Sequence, residues 1–124
     1  MNMQVEQKVV VDNLTILEQN NIAVEAYDVI QIAIAPSAAD VEVNIQPGPT
    51  GAAKVLMIKA SSYASGISYK VHLSTNPAID LENAHLYLGE GQIGSMGAVP
   101  DKLFFSNGAT ASQITIVVGR DSTP

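Results

Sequence analysis

Apolar and polar residues alternate with a period of two along most of this chain. The most regular stretch is residues 67–74, in which every second side chain is apolar. Residues 41–46 show the same period, and residues 22–35 carry isoleucine at 30, 32 and 34 against valine, glutamine and alanine on the other parity. Because successive side chains of a strand point to opposite faces, this period predicts β-strands. The second face of residues 22–35 is small and largely apolar, which predicts cover on both sides of that strand.

Turn-forming residues separate these stretches at short intervals. We expect strands over residues 4–11, 22–35, 41–46, 55–60, 67–73, 84–88, 103–105 and 114–118, while residues 14–17 fit either a strand or a helical turn. We expect residues 18–21 (EQNN) to turn, residues 47–51 (PGPTG) to form a loop, and Tyr27-Asp28 to bend the long strand. The sequence therefore predicts an all-β chain: one domain over residues 1–124, an antiparallel β-sandwich, jelly-roll-like, with about eight strands.

The segment 102–120 is the one around which we expect the sandwich to close. Its two apolar runs, residues 103–105 and 114–118, flank a polar connection that contains Asn107-Gly108, a strong turn signal. This pattern predicts that the two runs form a closing strand pair. Residues 1–11 are a candidate N-terminal arm, and residues 119–124 a short polar tail.

Composition narrows the function classes. Twelve acidic residues against six basic ones give a net charge of −6, which argues against nucleic acid and against an anionic membrane surface, because both need clustered Lys and Arg. No cysteine is present, so thiolate catalysis and thiolate metal sites are excluded. No apolar run approaches the roughly 18–20 residues of a membrane span.

Candidate chemistry is sparse. Residues 89–94 (GEGQIG) match the G-x-G-x-x-G pattern, but Gly97 and Pro100 oppose a following helix and no parallel β-α-β context exists, so we expect a flexible loop and no cofactor. His72 and His85 lie on the parity opposite to the predicted core, which predicts surface or interface histidines and not metal ligands.

Scattered acids leave two alternatives open. Asp80 and Glu82 with Glu90 or Asp101 offer the oxygen ligands that calcium takes, although no spacing enforces a site. Glu82 and Glu90 would be the catalytic pair of a carboxylate enzyme on a β-sandwich, the third-ranked interpretation. We expect no catalytic residues, no metal, no small-molecule substrate and no enzymatic activity.

The adjacent residues Phe104 and Phe105 must point to opposite faces of their strand, so one of them needs cover from outside the core. Such cover would come from a loop or from another subunit, which is a hint of oligomerisation. Interface candidates from the sequence are Val5, Val9, Val11, Tyr87 and Phe104.

The layout of residues 52–121 resembles the capsid cement or decoration proteins of tailed bacteriophages. The resemblance consists of a central strand pair (residues 55–60 and 67–73), a glycine-rich loop (89–97), and two further strands (103–107 and 114–119) with a short tail. It implies a jelly-roll or β-tulip-like domain that sits as a homotrimer on the capsid surface of the virion. It further implies that the partner is the major capsid protein and that the N-terminal arm or the tail reaches a neighbour. The alternative is a receptor- or carbohydrate-binding module of a fibre or tail, for which Tyr63 and Tyr87 are candidate platforms.

Overall fold

A computed structural model describes residues 1–45, 53–63 and 66–121 of the chain. Within this part the chain forms ten strands and one short helix. They are β1 (Asn2–Val11), β2 (Leu14–Ala23), β3 (Ala26–Ile34), β4 (Val41–Asn44), β5 (Ala53–Ala60), β6 (Ser68–Val71), β7 (Ile79–Asp80), β8 (His85–Leu88), α1 (Gly89–Gly94), β9 (Lys102–Ser106) and β10 (Ser112–Arg120). The predicted loop at residues 47–51 lies outside the described residues.

Strands β3 to β10 form two four-stranded antiparallel sheets. The first has the order β3-β10-β5-β8 and the second the order β4-β9-β6-β7. The chain passes between the sheets at nearly every step, with only β6 and β7 adjacent in both sequence and sheet. This is the strand order of a jelly roll, an eight-stranded sandwich built of two Greek keys. The predicted all-β, jelly-roll-like sandwich is confirmed, and β1 and β2 add a separate two-stranded sheet.

The core lies between the inner faces of the two sheets. The second sheet contributes Tyr69 and Phe105, both fully buried with ring centroids 5.8 Å apart. Ile114 and Ile116 of β10 face them from the first sheet and are equally buried. Phe104 points to the opposite face of its strand and is half-buried, as the adjacency of the two phenylalanines requires.

The predicted pairing of the runs 103–105 and 114–118 is wrong. β9 pairs with β4 and β6, whereas β10 pairs with β3 and β5 in the opposite sheet. The connection between them crosses the sandwich instead of forming a hairpin. The Asn107 side chain explains this, because its amide nitrogen donates to the backbone carbonyls of Ile34, 3.3 Å away, and Thr110, 2.7 Å away. Asn107 thus fixes an arch between the two sheets. The Asn-Gly dipeptide by itself does not show whether the connection is such an arch or a hairpin turn.

Three local predictions near the N-terminus are also corrected. Residues 18–21 continue β2 and do not turn, because each has a partner on β1. The long stretch 22–35 divides at Val24-Glu25 and not at Tyr27-Asp28. β3 is an edge strand, and Tyr27 and Val29 on its outer face are 54% and 55% exposed, so the predicted cover on both sides is absent.

The glycine-rich segment and the tail differ from expectation as well. Residues 89–94 form the helix α1 and not a flexible loop, and Ile93 anchors that helix in the core. A six-residue helix is too short for its 3.6-residue period to be visible in the sequence. The predicted tail begins too early, since Gly119 and Arg120 end β10; residues 122–124 lie outside the described part of the chain.

Candidate assembly surface

The N-terminal 23 residues form a long β-hairpin. β1 and β2 pair without interruption from Asn2 opposite Ala23 to Val11 opposite Leu14, and Asp12-Asn13 makes the turn. Asp12 adopts a positive φ of 51°, which the aspartate side chain tolerates better than most. Ten residues per strand make the hairpin about 33 Å long. Residues 1–11 are therefore one strand of a hairpin whose other strand the same chain supplies.

The two faces of this hairpin differ sharply in polarity. Directly opposed residues share a face, and one face, here called the apolar face, carries Met3, Val5, Val9, Val11, Leu14, Ile16 and Ile22 together with Gln7, Glu18 and Asn20. The opposite face is mainly polar, with Val10 and Leu17 as its large apolar members. The predicted interface residues Val5, Val9 and Val11 all lie on the apolar face.

The end of the apolar face that carries Met3, called the base of the hairpin, contacts the sandwich of its own chain. Met3 lies over Gly119 of β10 so closely that a Cβ added at Gly119 would overlap the Met3 sulfur and lie 3.1 Å from Val24 Cγ1. Val24 and Val55 are only 3% and 2% exposed, although neither belongs to the main core. The Val24 amide also donates a hydrogen bond of 2.9 Å to the Met1 carbonyl, which continues the pairing of the two hairpin strands to the edge of the sandwich.

The distal half of the apolar face is exposed to solvent. Val9 and Ile16, an opposed pair, are each 56% exposed, and Val11 and Leu14 beside the turn are 57% and 59% exposed. These four residues are called the hairpin tip from here on. None of them belongs to the hydrophobic core formed by the described residues, so together they form an exposed apolar patch.

A second apolar surface runs across the outside of the first sheet. The register places four apolar side chains in one row across its strands, called the outer row: Val29, Val117, Met57 and Leu86. Val29 is more than half exposed and the other three are half-buried. The adjacent row contains Gly119, which the Met3 side chain covers, and next to it the buried Val55.

Charges flank both surfaces. Glu18 follows the tip on the apolar face, and Lys59 follows Met57 on the outer face of β5. Within the described part of the chain, neither of these two exposed side chains takes part in an ion pair. Arg120, in contrast, pairs with Asp28 at the edge of the sheet.

The remaining predicted interface residues lie elsewhere. Phe104 is half-buried on the outer face of the second sheet, opposite Glu42 and Lys70. Tyr87 turns inward against the core. Neither joins the hairpin surface. The sequence also missed Leu14, Ile16 and the outer row, because their shared faces depend on the strand register.

Three polar side chains join the two sheets at the edge of the core. The Tyr69 hydroxyl lies 2.6 Å from His85 Nδ1 and 2.6 Å from the Tyr87 hydroxyl. The prediction that His85 lies on the non-core parity is therefore wrong: His85 and Tyr87 face inward, and Leu86 and Leu88 face outward. The inward polar groups are tolerated because they bond to one another. A period of two locates the faces of a strand but not which of them is buried.

Burial shapes the acidity of this cluster. Burial, reinforced by the hydrogen bond to Tyr87, raises the pKa of the Tyr69 hydroxyl far above its ordinary value. Burial lowers the pKa of His85, and the negative charge of Glu82 opposes that effect. A neutral His85 with its proton on Nε2 lets Tyr69 donate to Nδ1 and lets Tyr87 donate to Tyr69.

The other candidate chemical groups do not converge. His72 lies at the surface, as predicted, and its Nδ1 is 2.7 Å from an Asp101 carboxylate oxygen. Among the described residues, no three His, Cys, Asp or Glu side chains are grouped so that they could hold a metal ion. A cleft of about 450 Å³ beside α1 is lined mainly by Ile93, Ala98, Val99 and Pro100, with Glu90 at its side. No helix in the described ranges has the length and apolar character needed to cross a membrane.

Comparison of the chain with protein-family models, with curated proteins and with solved structures gives no match in any of the three. What the molecule itself defines is a jelly-roll sandwich that carries an N-terminal β-hairpin with an exposed apolar tip.

Proposed function

We propose that this protein is a non-enzymatic structural component of a virion, a capsid cement or decoration protein. It would bind the major capsid protein across subunit junctions on the capsid surface, as a homo-oligomer such as a trimer. The observation that carries this proposal is the hairpin tip, a set of four large apolar side chains, each more than half exposed.

A patch of this kind favours a role in assembly. Contiguous exposed apolar surface on a folded protein commonly marks an interaction site. Burying the exposed half of a valine, leucine or isoleucine side chain contributes about 1 kcal/mol, so the tip supplies about 4 kcal/mol to an interface before the cost of association. A cement protein acts by burying surface between subunits and needs no reactive group, which suits a chain with 15% charged residues and no cysteine.

The fold supports the same proposal at the level of analogy. Jelly rolls are frequent in viral capsid proteins, and they also occur in lectins and cupins. A fold alone does not define a function, so the weight of the proposal rests on the hairpin and not on the sandwich.

Tyr27 favours a second candidate, the receptor- or carbohydrate-binding module. It is the most exposed aromatic side chain among the described residues, 54% exposed on the outer face of β3. Tyr63 and Tyr87, the candidate platforms from the sequence, are less suitable. Tyr63 and Tyr87 are packed against the core, and the Tyr63 hydroxyl accepts a hydrogen bond of 3.1 Å from the Ala60 amide.

The test of the proposed function is binding to capsids that lack the protein. Capsids of the virus that encodes this chain are mixed with the purified protein, sedimented, and heated to measure the release of their contents. We expect co-sedimentation at a fixed ratio to capsid subunits and release at a higher temperature. Absence of binding, together with a signal on a glycan array that a Tyr27→Ala variant loses, would transfer the proposal to the carbohydrate-binding module.

A further inference from the structure

We infer that the hairpin tip of one copy docks on the outer row of a second copy, so that the chains join head to tail. The donor surface is Val9, Val11, Leu14 and Ile16, and the acceptor is the row of Val29, Val117, Met57 and Leu86. The inference deepens the proposed structural role and rests on it. Self-association and capsid binding are measured separately, so that either can fail alone.

Continuity with an interface inside the chain identifies a second copy as the occupant. The base of the apolar face already packs on the first sheet, where Met3 covers Gly119 and Val55 is buried. The outer row lies on the same sheet face, two residues further along each strand, about 7 Å away. The tip is the exposed end of the same hairpin face. The hairpin tip therefore continues the hairpin side of the contact between the base and the first sheet, and the outer row continues the sheet side of that contact.

The charges beside the two surfaces are complementary. Glu18 lies next to the tip pair Val9–Ile16, and Lys59 lies next to Met57 of the outer row. Neither has an ion-pair partner among the described residues. Docking of the tip on the outer row brings an acidic and a basic side chain to the same margin of the interface, which favours this orientation over tip-to-tip contact, where like charges would meet.

The geometry of the contact is heterologous, because the donor and the acceptor are different surfaces of one chain. Such contacts close into rings when the rotation between copies permits, and otherwise extend as filaments. A variant with a defective tip keeps an intact acceptor row, and a variant with a defective acceptor row keeps an intact tip. The two variants should therefore bind to each other although neither associates with itself.

The first experiment compares two pairs of threonine substitutions by sedimentation velocity at concentrations from micromolar to near millimolar. V9T/I16T makes the tip polar and preserves the preference for strand. V10T/L17T is the matched control, because Val10 and Leu17 are 58% and 50% exposed on the opposite face of the same hairpin. We expect V9T/I16T to weaken self-association by about tenfold or more, and V10T/L17T to associate as the unmodified chain does.

The second experiment uses complementation. V29K places a charge in the acceptor row, and A33K places the same charge on an exposed position of the same face of the same strand, four residues away. We expect V29K to be monomeric and A33K to associate. A mixture of V9T/I16T with V29K should form a complex of two chains with a single joint. Thermal unfolding of each variant confirms that it is folded.

Several results would overturn the inference. They are a monomeric unmodified chain at every concentration, equal losses for the two threonine pairs, a V29K variant that associates normally, or a mixture that remains monomeric. A monomer whose capsid binding is lost in V9T/I16T would show that the tip contacts the capsid protein and not a second copy, while the proposed function would stand.

Discussion

Tyr69 links the two sheets through both its ring and its hydroxyl group. Its ring is buried beside Phe105, and its hydroxyl bonds to His85 and Tyr87 on the facing sheet. One hydroxyl thus satisfies two polar groups that would otherwise face the core. Loss of a partner for a buried polar group costs about 1–3 kcal/mol, so we expect stability to depend on this single oxygen atom.

We expect Tyr69→Phe to lower the free energy of unfolding by about 1–3 kcal/mol, because His85 and Tyr87 each lose a partner. Urea unfolding followed by circular dichroism measures the loss. The matched control is Tyr27→Phe, which removes the same atom from an exposed side chain and should change stability by less than about 0.5 kcal/mol. Equal effects in the two variants would show that the buried hydroxyl is not important.

Stability should also depend on pH through His85, which is surrounded by Tyr69, Tyr87 and Glu82. Its pKa is lowered in the folded protein from the ordinary 6.5. The unfolded chain therefore binds the proton first as pH falls, so stability is fully retained above pH 6.5 and is lost as pH drops from there through the lowered pKa.

Two variants separate the contribution of His85 to the pH dependence of stability from that of the acidic side chains. His85→Gln should flatten the decline in the urea midpoint below pH 6.5. Glu82→Gln should steepen it, because the Glu82 charge raises the pKa of His85 and its removal lowers that pKa further. An unchanged slope in His85→Gln would assign the whole pH dependence to the carboxylates.

At the level of elements, the docking of the hairpin depends on the absence of a side chain at Gly119. Met3 fills the space above that glycine, and Val24 closes its side. The connection at Val24-Glu25 joins the hairpin to β3 beside this contact. The contact between Met3 and Gly119 is therefore a sensitive point for testing how the hairpin docks.

We expect Gly119→Ala to destabilise the protein by about 1 kcal/mol, because the new methyl group must displace the flexible Met3 side chain. Met3→Ala should remove that conflict, so the double variant should be more stable than the sum of the two single effects by at least about 0.5 kcal/mol. A double-mutant cycle by thermal unfolding measures this coupling. Additive effects would place Met3 away from Gly119.

Gly91→Ala is the matched control for the added methyl group. A Cβ at Gly91 meets no atom within 4 Å, and the position lies inside α1. Alanine in a helix is more favourable than glycine by about 0.5–1 kcal/mol, so this variant should be slightly stabilised. The contrast in sign between the two glycines is the expected result.

For the whole molecule, the alternation of residue types was sufficient to predict strands and a jelly-roll-like sandwich, but not the pairing of those strands. Residues 18–21 are polar because they lie on an exposed hairpin, and their pairing with β1 is invisible locally. The Asn107-Gly108 sequence favours a hairpin, but the connection that contains it is an arch that joins the two sheets. His85 and Tyr87 face inward because Tyr69 satisfies them. Each miss depends on a contact between residues distant in sequence.

Only part of the candidate surface is visible in the sequence, for the same reason. Val5, Val9 and Val11 were identifiable because three apolar residues share a parity near the N-terminus. Their continuation across the hairpin to Leu14 and Ile16 depends on the register with β2. The outer row could not be predicted, because it joins four strands that are separated by long stretches of chain.

The hairpin and the sandwich should be separable, and two truncations test this. A chain beginning at Glu25 loses the whole hairpin but keeps all eight sandwich strands and the Glu25 nitrogen that donates a hydrogen bond to the Arg120 carbonyl. We expect it to be folded and monomeric, with stability lower by about 1–3 kcal/mol because the row containing Val55 becomes exposed.

A chain beginning at Asp12 instead leaves β2 without its partner over ten residues. An unpaired strand that contains Leu14, Ile16 and Leu17 is a template for aggregation, so this longer chain should be the less soluble of the two. Light scattering and thermal unfolding decide the matter: an unfolded Glu25 chain would make the hairpin part of the folding unit, and a well-behaved Asp12 monomer would show that β2 does not need β1.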